Sequence, residues 1–91
     1  MKRVQFALGQ IVATPGAIAV MKENSIDGLE LLRRHVTGDW GDLDEADKHE
    51  NELSVQKGFR ILSAYGTGER KLWIITESDR SVTTILRPDE Y

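Results

Sequence analysis

Two histidines, a run of carboxylates and one glycine-rich turn are the places where this sequence could do chemistry. His49-Glu50-Asn51-Glu52-Leu53 begins like the zinc-protease pattern H-E-x-x-H, which needs two histidines one helical turn apart to hold the metal. Leu53 stands in the second position, so the pattern fails. The carboxylates after Gly41 suggest a calcium loop. Counted from Asp42, such a loop needs an oxygen ligand at its fifth place, glycine at its sixth and glutamate at its twelfth. The chain has Ala46, Asp47 and Leu53 there. Gly66-Thr67-Gly68-Glu69-Arg70-Lys71 echoes a phosphate loop, but strand-like runs flank it on both sides, which suits a hairpin turn. His35, near Asp39, has the makings of a general base; a helix-terminal cation beside an acid is the simpler reading. Asp79-Arg80 reads as a tight turn in which Asp79 bonds the backbone. No metal ligand, cofactor or catalytic residue is assigned.

One feature outlasts these tests. Residues 39–57 carry seven acids, Asp39, Asp42, Asp44, Glu45, Asp47, Glu50 and Glu52, against Lys48 and Lys57, a net charge of −5, while the rest of the chain is +2. Trp40 stands at the edge of this segment. Long-range attraction speeds encounter with a basic partner, and a desolvated aromatic anchor supplies affinity. The expected partner-binding residues are therefore these seven acids with Trp40. The plainer alternative is a solvated helix face.

Such a face needs a scaffold, and 91 residues make one domain with one modest core. With 40% apolar and 30% charged residues, the chain is neither disordered nor a membrane span. Its net charge of −3 argues against a general nucleic-acid binder. There is no cysteine, which rules out disulfides, thiolate metal sites and a cysteine nucleophile. The apolar run after Lys2-Arg3 is broken at Gln5, Gly9 and Gln10, so no signal peptide is expected and the chain is placed in the cytoplasm.

The periodicities divide the chain into seven elements. Val4–Leu8 alternates like a strand, broken at Gly9 and continued by residues 10–13. Thr14-Pro15 starts a helix that ends near Asn24. Ser25 is expected to cap a second helix with the stripe Ile26, Leu29, Leu32 and Val36, stopped by Gly38. Asp44 caps a third helix running to about Lys57, with Gly58 as its stop and a thin apolar content of Ala46, Leu53 and Val55. Three strand-like runs follow: Phe59–Tyr65, Leu72–Thr76 and Val82–Leu86. The expectation is an α+β domain in the order β-α-α-α-β-β-β. It has a three-stranded antiparallel meander with helices on one face. Trp73 is expected in the core and Trp40 partly exposed. One sheet edge should stay open, a route to a homodimer.

Gly38-Asp39-Trp40-Gly41-Asp42-Leu43, Arg60-Ile61-Leu62-Ser63-Ala64-Tyr65, Leu72-Trp73-Ile74-Ile75-Thr76-Glu77-Ser78-Asp79-Arg80-Ser81 and Thr83-Thr84-Ile85-Leu86-Arg87-Pro88-Asp89-Glu90-Tyr91 resemble a group of small "plasmid-related" proteins carried by bacterial plasmids, integrated elements and phages. The resemblance runs from Gly9 to Tyr91. The group has no established activity, so no residue role transfers. What the resemblance implies is a setting in mobile DNA, where small acidic proteins, anti-CRISPR proteins among them, inhibit host defences. The leading expectation is a non-enzymatic interaction protein that binds and inhibits a host protein with a basic surface, with no direct contact to nucleic acid or membrane. Two alternatives stand beside it. The helix-plus-meander layout resembles that of RelE-like toxins, which would make His35, Tyr65, Arg80 and Arg87 the residues of a small ribonuclease. The first two helices could form a DNA-reading helix-turn-helix, although Asp27 and Glu30 at the start of the second would repel phosphates.

Overall fold

The computed structural model describes residues 3–91. Its elements are β1 (Gln10–Ala13), α1 (Pro15–Glu23), α2 (Gly28–Val36), α3 (Glu45–Lys57), β2 (Ile61–Tyr65), β3 (Leu72–Thr76) and β4 (Val82–Leu86). Short 3₁₀ turns occupy Gly68–Arg70 and Pro88–Glu90. The fold is α+β, with three helices and a four-stranded sheet ordered β1-β4-β3-β2. β2, β3 and β4 pair antiparallel in succession, but β1 joins β4 in parallel, so the sheet as a whole is mixed.

Local chemistry sets most helix ends. The Thr14 hydroxyl accepts the Ala17 N–H, and Pro15 opens α1 with its φ already helical. The Asp44 carboxylate accepts the Asp47 N–H, and Gly58 ends α3 in the left-handed region. The second helix departs from expectation. Its cap is Asp27, which accepts the Leu29 N–H, whereas Ser25 is a linker residue with φ +53°. The register shifts with it: Leu31, Leu32, His35 and Val36 are buried and Leu29 is 76% exposed. The expected strand at Val4–Leu8 is irregular chain, with Phe6 turned inward.

Strand alternation sorts the sheet into two faces. Ile61, Ser63 and Tyr65 of β2, Leu72, Ile74 and Thr76 of β3, and Thr83 and Ile85 of β4 share one face, and all are buried. There Tyr65, Leu72, Ile74 and Ile85 pack with Ala17 and Val20 of α1 and Leu31 and Leu32 of α2. A second cluster joins Phe6, Val36, Trp40 and Ile61. The two tryptophans thus exchange their expected places: Trp40 is 3% exposed, and Trp73, on the opposite sheet face, is half-buried.

α3 packs along β2 at the edge of the sheet, where Val55 meets the Phe6–Val36–Trp40–Ile61 cluster, and its buried residues are polar, Asn51 and Ser54. Asn51 is the reason. Its Nδ2 donates to the Leu62 carbonyl at 2.7 Å and its Oδ1 accepts the Leu62 N–H at 3.2 Å. Two residues on, a bridge at Gly41 serves the same edge. Asp42 N–H donates to the Ala64 carbonyl at 2.6 Å, and Ala64 N–H donates to the Trp40 carbonyl at 3.2 Å. Only glycine fits at Gly41, where φ is +77° and an added Cβ would sit 2.0 Å from the Ala64 oxygen. The outer edge of β2 is therefore capped by side chain and loop, while β1 forms the other edge, with Ile11 and Val12 exposed.

Candidate functional site

The acidic segment separates into carboxylates that hold the fold and carboxylates that do not. Asp39 pairs with Arg34 at 2.7 Å, and its Oδ1 accepts the Gly41 N–H. Asp42 accepts the Gly66 N–H at 2.9 Å, tying the loop before α3 to the turn after β2. Asp44 is the cap of α3. Glu52 accepts the Trp40 indole N–H at 3.2 Å, and the Trp40 ring stacks on Phe6 and meets His35 edge-on. Trp40 is thus an interior residue and not the anchor of an exposed face. Glu45, Asp47 and Glu50 remain, all exposed, and Glu45 has only a 3.8 Å contact with Lys48.

Glu50 and Asn51 each lie about one helical turn beyond Asp47 on α3, and all three line the same groove. The Asn51 clamp holds this part of α3 against β2. Leu62 and Ala64 alternate onto the second sheet face, and Trp73 is the cross-strand partner of Ala64. The resulting groove has a volume of about 420 Å³. Leu43, Leu62, Ala64 and Trp73 make its apolar floor, Asp42, Asp47 and Glu50 its acidic wall, and Asn51 and the cationic Lys71 complete the lining. Of the expected binding residues, the structure brings Asp42, Asp47 and Glu50 together at this groove. It brings Asp39, Trp40, Glu45 and Glu52 together, with Lys48 and His49, at a second and separate cleft, where Asp39, Trp40 and Glu52 also have the structural contacts described above. Asp44 is occupied as the cap of α3. Sequence reasoning missed Trp73 because Leu72–Ile75 is apolar throughout. The available signal was its odd position between Leu72 and Ile74, which puts it on the face the first two helices do not cover.

The histidine chemistry is interior. His35 Nδ1 lies 2.5 Å from Ser63 Oγ, and Nε2 lies 2.9 Å from Thr76 Oγ1. Thr76 Oγ1 is 2.7 Å from Thr83 Oγ1, which donates to the Leu8 carbonyl at 2.7 Å. That carbonyl only accepts, so the chain has one polarity: Thr83 receives from Thr76, Thr76 from His35 Nε2–H, and Nδ1 accepts the Ser63 hydroxyl. A serine–histidine pair steadied by a third group has the form of an activated nucleophile. Here Ser63, His35 and Thr76 have no exposed surface, so no substrate reaches them. Burial pushes the His35 pKa down to about 3, which keeps the ring neutral.

Of the other residues of the ribonuclease alternative, Tyr65 adjoins this cluster through Ser63, while Arg80 and Arg87 are held by backbone carbonyls and by Asp89. Tyr65 is buried, its hydroxyl donates to the Asp39 carbonyl at 2.7 Å, and burial pushes its pKa up to about 12. Arg80 donates to the carbonyls of Phe59, Ser54 and Glu77. Arg87 pairs with Asp89 at 3.2 Å. At the start of α2, Asp27 and Glu30 are exposed, with Glu30 bound to Arg33. Among the described residues, no three His, Asp or Glu side chains converge to hold a metal ion. No helix among them is long and apolar enough to cross a membrane. No protein-family model matches the chain, and no curated protein or solved structure matches it.

Proposed function

We propose that this chain is a non-enzymatic interaction protein that docks on a basic protein surface through the groove between α3 and β2–β3. The observation that carries the reading is the juxtaposition of Asp47 and Glu50, two exposed carboxylates, with an apolar floor that includes half-buried Trp73. Carboxylates at a rim steer and orient a cationic partner, and an apolar floor supplies affinity once water leaves it. Docking of this kind blocks the partner surface for nucleic acid or for another subunit. The likeness to plasmid- and phage-borne proteins suggests a host defence protein as that partner. Pairing of two copies through β1 would leave the groove free, because β1 and β2 are opposite edges of the sheet.

The test is capture from a bacterial lysate at low and high salt, with the wild type beside an Asp47→Lys, Glu50→Lys variant. The expected result is a partner retained by the wild type, released as screening rises, and lost from the variant. A partner held equally by both proteins, or no salt-sensitive partner at all, overturns the reading.

A further inference from the structure

We infer that the groove takes an arginine side chain in preference to a lysine, with the guanidinium lying on the Trp73 indole and turned toward Asp47 and Glu50. This rests on the docking face proposed above and names the chemistry of the residue that fills it.

The floor and the wall ask for different things, and arginine answers both. Leu62, Ala64 and Leu43 suit an aliphatic stem; three carboxylates against the single ammonium of Lys71 leave the lining net negative, which suits a cation; and an indole suits a flat, weakly hydrated one. A guanidinium is planar, stacks on aromatic rings and offers paired donors to a carboxylate, whereas an ammonium is a compact, strongly hydrated point charge. The acids do not converge tightly enough to hold a metal ion, but a cation spread over a planar fork can reach separated carboxylates.

The chain already uses this contact beside the groove. Tyr91 and Trp73 meet in a T-shaped pair with ring centroids 5.9 Å apart, and the Arg60 guanidinium lies over the Tyr91 ring at 5.2 Å and donates to its hydroxyl. Arg34 stacks over Tyr65 in the same way at 4.6 Å. Trp73 is the end of the Arg60–Tyr91–Trp73 series that borders the groove. A partner arginine on the indole would extend the series by one member.

The probes are short Gly-Ser peptides carrying a central arginine, with matched lysine and citrulline versions, titrated at low salt while the Trp73 indole N–H resonance is followed by NMR. The arginine peptide should bind about fivefold more tightly than the lysine peptide and shift the Trp73 signal. The citrulline peptide, planar but uncharged, should bind weakest. Trp73→Leu should erase the preference for arginine while keeping salt-sensitive binding. Glu50→Gln, an exposed change, should weaken both cationic peptides several-fold and leave the fold intact. Equal binding of arginine and lysine with an unmoved Trp73 resonance overturns the arginine inference and leaves the acidic docking face standing. Binding of neither cationic peptide overturns both.

Discussion

Asn51 brackets Leu62: one side-chain amide, on a helix, gives the outer edge of β2 both hydrogen bonds that a neighbouring strand would give it. The clamp also sets the distance between α3 and the sheet, and the groove is the space that remains. Asn51→Ala leaves a half-buried N–H and carbonyl without a protein partner. The expected loss is about 2 kcal/mol, a fall in Tm of roughly 10 °C for a domain of this size. Thermal unfolding followed by circular dichroism measures it, and an unchanged Tm would show that water replaces the clamp at no cost.

His35 makes stability depend on pH well above the carboxylate range. Its folded pKa, about 3, lies below the ordinary 6.5, so the unfolded chain binds a proton that the folded one refuses. The stability held by the neutral ring is complete above pH 6.5 and drains away as pH falls from there toward 3. The magnitude is on the order of 5 kcal/mol by linkage. Denaturant unfolding at stepped pH should show the decline beginning near pH 6. A flat profile between pH 7 and 5 would show that His35 charges freely in the fold.

The acids of the loop and helix should divide by role. Asp44→Ala removes the α3 cap and should cost about 1 kcal/mol. Asp47→Lys with Glu50→Lys should change stability by less than about 1 kcal/mol, since both side chains are exposed, yet abolish partner capture. Urea titrations beside the capture assay separate the effects. Equal destabilisation by the two sets of changes would contradict the division.

The tryptophans should differ in access to solvent. With Trp73 alone, in Trp40→Phe, emission should be red-shifted and quenched by acrylamide. With Trp40 alone, in Trp73→Phe, it should be blue-shifted and protected. Reversal of that order would place Trp40, and not Trp73, beside the groove.

Helix ends were legible because their chemistry is local. Thr14, Asp44 and Gly58 act on backbone groups within a few residues, and no distant contact changes that. The cap of α2 was misread at Ser25 because Asp27 offers the same chemistry two residues on. The side of the sheet that α1 and α2 cover then decided which residue was core. The same decision exchanged Trp40 and Trp73, since residues in an unbroken apolar strand look alike until one face is filled.

By itself, the sequence determined the α+β class, three helices followed by three strands, and the gathering of negative charge between Asp39 and Glu52. These follow from spacing, caps and composition, which act at short range. Tertiary structure alone decided that β1 lies parallel to β4, that Asn51 replaces a strand, that His35 is sealed and neutral, and which acids face the groove. Each of these depends on partners far apart along the chain. His35 meets Thr76, 41 residues on, and Thr83 reaches back 75 residues to Leu8. No periodicity within a helix or strand carries that pairing; packing of the whole chain selects it.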